Sequence, residues 1–229
     1  MSVVAPVLWL LVTIAVYVAA RVAYARTKLA VFNPALVSIA TMIALLLLTR
    51  TPYDDYQLGA RAISFWLGPA IVALGVPLAL QLPVMRRNVA GILLALVAGA
   101  VTGIVVAIEV AHLFGASDVI LRSLATRSVT TPIAIVVTAS LGGVPALAAL
   151  VSIVSGAIGG SAGVWLLRRA GVRSRLATGL ALGAAAHGLG TARAADEGET
   201  EGAASGMAMG AVGVLTALLA PLVARALIR

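Results

Sequence analysis

The run Ala186-His187-Gly188-Leu189-Gly190-Thr191-Ala192-Arg193, followed by Asp196, Glu197, Glu199 and Glu201, is the part of this chain most suited to chemistry. Gly188 and Gly190 permit unwinding and close approach of a ligand, while His187, Thr191 and Arg193 offer donors to a carboxylate. The same residues also fit a span that ends at Gly190, with Arg193 and the acids in an ordinary solvated loop. A second stretch sets Arg127, Ser128, Thr130 and Thr131 ahead of Pro132. Hydroxyls before a helix-starting proline cap the helix, and the exposed amides with their positive dipole end suit an anion. Capping without a ligand is the plainer alternative.

Two further features carry polar groups at membrane depth. Asn33-Pro34, Gly68-Pro69 and Gln81 supply amides and unpaired backbone groups, or else mark structural kinks. Glu109 and His112 lie three residues apart, on one face of a helix, where the acid could carry a proton. Its place near a span end also fits an interfacial role. Glu109, His187, Glu199 and Glu201 are therefore the candidates for proton coupling.

The elements that must position these residues follow from composition. Of 229 residues, 62% are hydrophobic and 10% charged, against roughly 25% charged in soluble domains. Leu, Ala and Val run on for whole helix lengths without the alternation of a barrel strand, so the fold class is an all-α polytopic membrane protein. At about 20 apolar residues per crossing, the length holds about seven transmembrane helices plus one broken or re-entrant segment. With 23 glycines and 4% aromatics, close helix contacts are expected. The net charge of +8 arises from Arg and Lys at span ends, which argues for membrane orientation and against nucleic acid. Absence of Cys removes thiol chemistry and disulfides, and no cofactor or metal motif is present.

Hydropathy places spans near 4 to 22, 29 to 49, 62 to 82, 89 to 113, 145 to 168, 174 to 190 and 203 to 227. The third is interrupted by Leu67-Gly68-Pro69-Ala70 and Gly75-Val76-Pro77. If the basic clusters at Arg21/Arg26/Lys28, Arg86/Arg87 and Arg168/Arg169/Arg173/Arg175 are cytoplasmic, the segment from 117 to 141 must begin and end outside. It reads as two half-helices turning near Thr130-Thr131-Pro132. The same alternation puts the N-terminus outside, the acidic stretch from Asp196 to Glu201 outside and the C-terminus inside. The two interruptions, in the third span and at Thr-Thr-Pro, resemble the paired breaks of transporters built from inverted repeats. One transmembrane domain over 1–229 is expected, with a peripheral first span and basic loop (1–28), a first half (29–114) and a second half (115–229). No His-Glu-x-x-His pair, phosphate loop or Gly-x-Ser-x-Gly elbow is found, so no enzyme is expected.

The polar stretches are similar to a known family. Asn33-Pro-Ala-Leu-Val-Ser-Ile39, Leu67-Gly-Pro-Ala-Ile-Val-Ala-Leu74 with Pro77 and Gln81, Arg127-Ser-Val-Thr-Thr-Pro-Ile-Ala134, the segment Gly183 to Glu201 and Leu215-Thr-Ala-Leu-Leu-Ala-Pro221 resemble, in order, the LrgB/CidB family. Ala195 and Glu197 depart from its pattern, whereas Glu199 and Glu201 fit it. The resemblance implies a multi-pass protein of the bacterial cytoplasmic membrane, related to the LrgB-like half of the plastidial glycolate/glycerate translocator. It implies two functions: transport of small monocarboxylates such as glycolate, glycerate or pyruvate, and antiholin/holin-like modulation of murein hydrolase activity and autolysis. A small LrgA/CidA-type membrane partner goes with the family, and a homo-oligomer in the lipid bilayer is expected. For transport, the carboxylate would lie between half-helix ends near Thr130/Thr131 and the unwound stretch His187 to Thr191, with Arg193 or Arg127 as counter-charge. Access would alternate.

Overall fold

The computed structural model describes residues 4–27, 34–66, 69, 86 and 89–228. Its described elements are all helices: α1 Val4–Thr27, α2 Pro34–Thr49, α3 Tyr53–Phe65, α4 Val89–Leu113, α5 Asp118–Leu124, α6 Thr131–Ser140, α7 Pro145–Arg169, α8 Arg175–Glu197 and α9 Glu199–Leu227. Among the described residues four helices are long and apolar enough to cross a membrane: α1, α4, α7 and α9. The chain is an all-α polytopic membrane protein. It divides into two compact units, Met1–Gly75 and Val76–Arg229.

In the first unit, α1 packs with α2 and α3. Helix α3 begins well before the expected third span. Asp54 and Asp55 occupy its first turn, where the helix dipole favours carboxylates. Gly59 lies against the Pro6 carbonyl, and Trp9 meets Tyr56 edge-on at 6.1 Å. Polar residues interleaved through 53–65 depress hydropathy, so this helix escapes a search for apolar runs. Asn33, Gly68 and most of the expected third span, with Gln81, lie outside the described residues. Pro69 is described alone, helical and exposed.

The second unit has two ends. One is the basic end, carrying Arg168, Arg169 and Arg175. Helix α4 starts there and runs to the far end: Ile92 and Leu96 pack with Leu180, Ala203 and Ala204, while Ile104 and Ile108 pack with Leu121, Ala220 and Ala224. Helices α5 and α6 then form the expected broken pair. Arg122 donates to the Leu141 carbonyl at 3.2 Å and Thr126 meets Thr138 at 2.7 Å, so both arms share the far end and turn inside the unit. Pro132 stands at the opening turn of α6, as its missing N–H allows. Helix α7 crosses back, its 25 residues spanning about 37 Å.

Helix α8 departs from expectation. Residues 174–190 read as a span, yet the chain folds back at His187, whose φ of 39° and ψ of −123° are not helical. Gly190 consequently lies against the Leu182 carbonyl, although eight residues of straight helix span about 12 Å. Both ends of α8 sit at the basic end: Arg175 faces Glu201 at 3.8 Å and Arg168 pairs with Glu197 at 2.7 Å. The segment is a re-entrant hairpin, with arms 175–186 and 188–197. A single residue makes the turn inside an apolar run of span length, leaving no hydropathy signal.

Two expectations change with it. The stretch Asp196 to Glu201 is at the same end as Arg168 and Arg175, not opposite them. Helix α9, 29 residues or about 43 Å, then carries the chain to the far end, where Arg225 shares a cavity with Arg122 and Leu141. The C-terminal end and the basic cluster therefore lie at opposite ends, so the two cannot both be cytoplasmic. Among the described residues the hairpin that meets 118–140 is thus 175–197, which brings the Thr130/Thr131 turn toward the His187 stretch; the expected third-span break, Pro69 apart, lies outside the described residues.

The natural chain has no cysteine, so single-cysteine labelling tests this path directly. In oriented vesicles, Arg173→Cys and Glu199→Cys should react with an impermeant maleimide from one side, and Ala226→Cys from the other. Labelling of Arg173→Cys and Glu199→Cys from opposite sides would restore α8 as a span.

Candidate functional site

The two hairpins enter from opposite ends, and their tips meet on α7. Ser152, fully buried, donates its hydroxyl to the Val129 carbonyl at 2.6 Å, in the turn between α5 and α6. The His187 ring, at the tip of α8, lies 2.9 Å from the Ser152 carbonyl and 3.3 Å from its hydroxyl through Nε2. A carbonyl only accepts, so Nε2 carries a proton and donates. One residue therefore ties both tips. Local chemistry makes the seat: Gly156 leaves room for the ring, since a Cβ there would come within 2.6 Å of Cε1.

A non-glycine residue at positive φ costs on the order of 1–3 kcal/mol and persists only where its surroundings enforce it. At His187 the enforcement is visible. Thr191 donates to the His187 carbonyl at 2.8 Å, and because its one proton is used there, Ser205 donates to Thr191 at 3.0 Å. Backbone and ring are both held.

Beside the tips, α4, the α5–α6 turn and the first arm of α8 line a half-open cavity of about 460 Å³. That is within the range of about 300–1,000 Å³ usual for small-molecule sites. Its walls are mostly small or apolar, including Gly99, Gly103, Ala181 and Ala184, and its polar side chains are Thr102, Arg127 and Ser128. Arg127 is the charged residue of the lining, and it has no acidic partner among the described residues. Its recorded side-chain bond is a long one, 3.4 Å, to the Ser155 hydroxyl. A half-buried guanidinium with donors to spare has the chemistry to bind a carboxylate and to disfavour cations.

The expected residues fall into groups. Arg127 and Ser128 line the cavity; Thr130 and Thr131 are half-buried at the neighbouring start of α6, and Thr130 makes no side-chain cap bond. His187 and Thr191 are buried at and near the other tip, Gly190 is buried behind it and Gly188 is exposed. Arg193 points elsewhere: it pairs with Glu197, toward the basic end and away from the cavity that Arg127 lines. Glu109 is half-buried near the far end of α4 with no bond to His112 among the described residues. Glu199 is exposed. Glu201 is 7% exposed, with one carboxylate oxygen 3.8 Å from Arg175 and the other without a hydrogen-bond partner among the described residues.

Sequence reasoning missed Ser152 and Ser155. The available signal was a Ser-x-x-Ser-Gly pattern, Ser152 to Gly156, which sets hydroxyls three residues apart on one face of an otherwise apolar span.

The LrgB-like family model matches residues 13–226. The chain belongs to the LrgB-like family. It is 34% identical to YxaC of Bacillus subtilis (strain 168) over 214 residues, 93% of each chain. It is 33% identical over 191 residues to the antiholin-like protein LrgB of Bacillus mycoides (strain KBAB4), 83% of each. No solved structure matches it. The match covers both hairpins, so the whole site belongs to the family-related part of the LrgB-like chain.

Loss of Ser152 tests the junction of the tips. Ser152→Ala removes the donor to Val129 in a buried setting, for which about 1–3 kcal/mol is the usual cost. The detergent-solubilised variant should therefore show a lower thermal midpoint, whereas Ser155→Ala, losing only a 3.4 Å contact, should stay close to wild type. Equal midpoints for Ser152→Ala and wild type would remove Ser152 as the tie.

Proposed function

We propose that this chain is a secondary transporter or facilitator of small monocarboxylates, with glycolate, glycerate and pyruvate as the acids to test first. The observation that supports it is Arg127: a half-buried cation without an acidic partner among the described residues, lining a cavity beside the junction of two opposed hairpins. Discontinuous helices whose ends meet at mid-membrane are the usual way a transporter presents polar backbone groups to an ion. Movement of either hairpin against α7 would open the cavity to one end at a time. A purely packing role gives no reason to bury Arg127 and bend the backbone at His187.

The second reading is an antiholin-like modulator of autolysis, acting with a small LrgA/CidA-type membrane partner. Its support is the name borne by relatives at 32–33% identity, antiholin-like protein LrgB, and the comparisons favour it more directly than they favour transport. Liposomes separate the two. Transport predicts saturable uptake of a labelled short acid by the purified chain alone, competed by unlabelled acid. Modulation predicts the empty-vesicle rate for every acid, with unselective leakage appearing only when the small partner is added.

A further inference from the structure

A second cationic cavity lies at the far end of the unit. About 310 Å³ in volume, it is formed where the base of the α5–α6 hairpin meets the end of α9, and it is lined by Arg122, Ser140, Leu141, Pro221, Arg225 and Ile228 among others. Neither arginine has an acidic partner among the described residues. Arg122 is half-buried, and one of its nitrogens caps the C-terminal end of α6 at the Leu141 carbonyl, which leaves the rest of its guanidinium donors for a ligand. Arg225 is exposed.

Their position needs a reason. The basic end holds Arg168, Arg169, Arg173 and Arg175, the larger cluster, and by the positive-inside rule that end is cytoplasmic. Arg122 and Arg225 therefore stand at the outer face, where arginine is disfavoured unless something anionic meets it. The neighbouring surface is apolar and open: Leu218 is 64% exposed, Leu222 62% and Val136 69%. A ligand with a negatively charged oxygen group and an adjoining hydrocarbon chain satisfies both features.

We propose that Arg122 and Arg225 bind the headgroup phosphate of an anionic phospholipid, whose acyl chain lies along Val136, Leu218 and Leu222. The site is separate from the Arg127 cavity and independent of the transport reading. Planar guanidinium groups suit phosphate oxygens, and two of them oppose a single negative charge.

Native mass spectrometry of the full chain in detergent, titrated with phosphatidylglycerol, phosphatidylcholine or inorganic phosphate, tests it. Wild type should retain at least one phosphatidylglycerol under conditions that strip phosphatidylcholine, and Arg122→Gln/Arg225→Gln should weaken that retention at least about tenfold while leaving the remaining lipid adducts unchanged. Because Arg225 is exposed, Arg225→Gln alone keeps the test available should the double variant fail to purify, with a smaller loss expected; Arg225→Lys should recover part of it. Unchanged retention in these glutamine variants overturns the proposal, as does equal retention of the two lipids. Binding of inorganic phosphate without preference for phosphatidylglycerol would assign the site to a free oxyanion and overturn the lipid assignment.

Discussion

Arg127→Gln is expected to reduce saturable uptake of a short carboxylate into liposomes by about 10- to 100-fold, the equivalent of the roughly 1.5–3 kcal/mol carried by hydrogen bonds to a charged group. Arg127 is the charged residue of the cavity lining, so no neighbouring lining cation replaces it. Glutamine keeps hydrogen-bonding capacity on a shorter side chain while removing charge. Arg127→Lys keeps the charge but loses the planar fork, and should fall between the two. The fold should survive both, since the long contact to Ser155 is the side-chain bond at stake. Arg193→Ala is the informative contrast. Its guanidinium pairs with Glu197 near the basic end, so uptake should fall far less. Uptake within about twofold of wild type in Arg127→Gln would remove Arg127 as the anion's counter-charge; comparable losses in Arg127→Gln and Arg193→Ala would relocate the pathway toward the basic end.

This contrast marks how far sequence carried the site. The α5–α6 break was legible because its polar run, Arg127 to Thr131, and Pro132 interrupt an apolar segment, and parity of the basic clusters required it to return to the end it left. The helices α4 and α7 were legible to within a residue, being apolar runs bounded by turns. At His187 an interruption was legible but not the reversal: unwinding was expected over His187 to Thr191, whereas only His187 leaves the helical conformation. Both arms are helical and the first is apolar, and the reversal depends on contacts far away in sequence: Ser152 for the ring, Ser205 for Thr191, and the Glu197 and Glu201 ion pairs at the base. Charge parity then went wrong for a physical reason. Acidic residues contribute little to membrane orientation, so the stretch Asp196 to Glu201 could sit beside Arg168 and Arg175 as their partner. Arg193, chosen for its chemistry and its closeness in sequence to His187, was carried by the returning arm toward that same end.

Gly183→Ala and Gly188→Ala are expected to move stability in opposite directions, although the substitutions are identical and five residues apart. Gly183 faces the Ser205 carbonyl, where a Cβ would overlap backbone atoms. A side chain could swing away, but the backbone of α9 cannot do so without unpacking the hairpin, whose first arm runs beside it. A loss of about 3 kcal/mol is expected, at the upper end of the usual cost of overpacking. At Gly188 a Cβ would meet nothing within 4 Å among the described residues, and the backbone is helical with no positive φ. Restricting the unfolded chain there should stabilise by about 0.4–1 kcal/mol. Denaturant titration of the solubilised protein, read by circular dichroism, resolves a gap of that size. The reversal at His187 requires this asymmetry: in a straight helix, position 190 could not approach the Leu182 carbonyl, and the second arm would not return along the first. Gly190→Ala should accordingly be as damaging as Gly183→Ala, because its Cβ would enter the space between the two arms. If Gly183→Ala, Gly188→Ala and Gly190→Ala all unfold together with wild type, the folded-back hairpin is wrong, and the junction of tips at Ser152 falls with it.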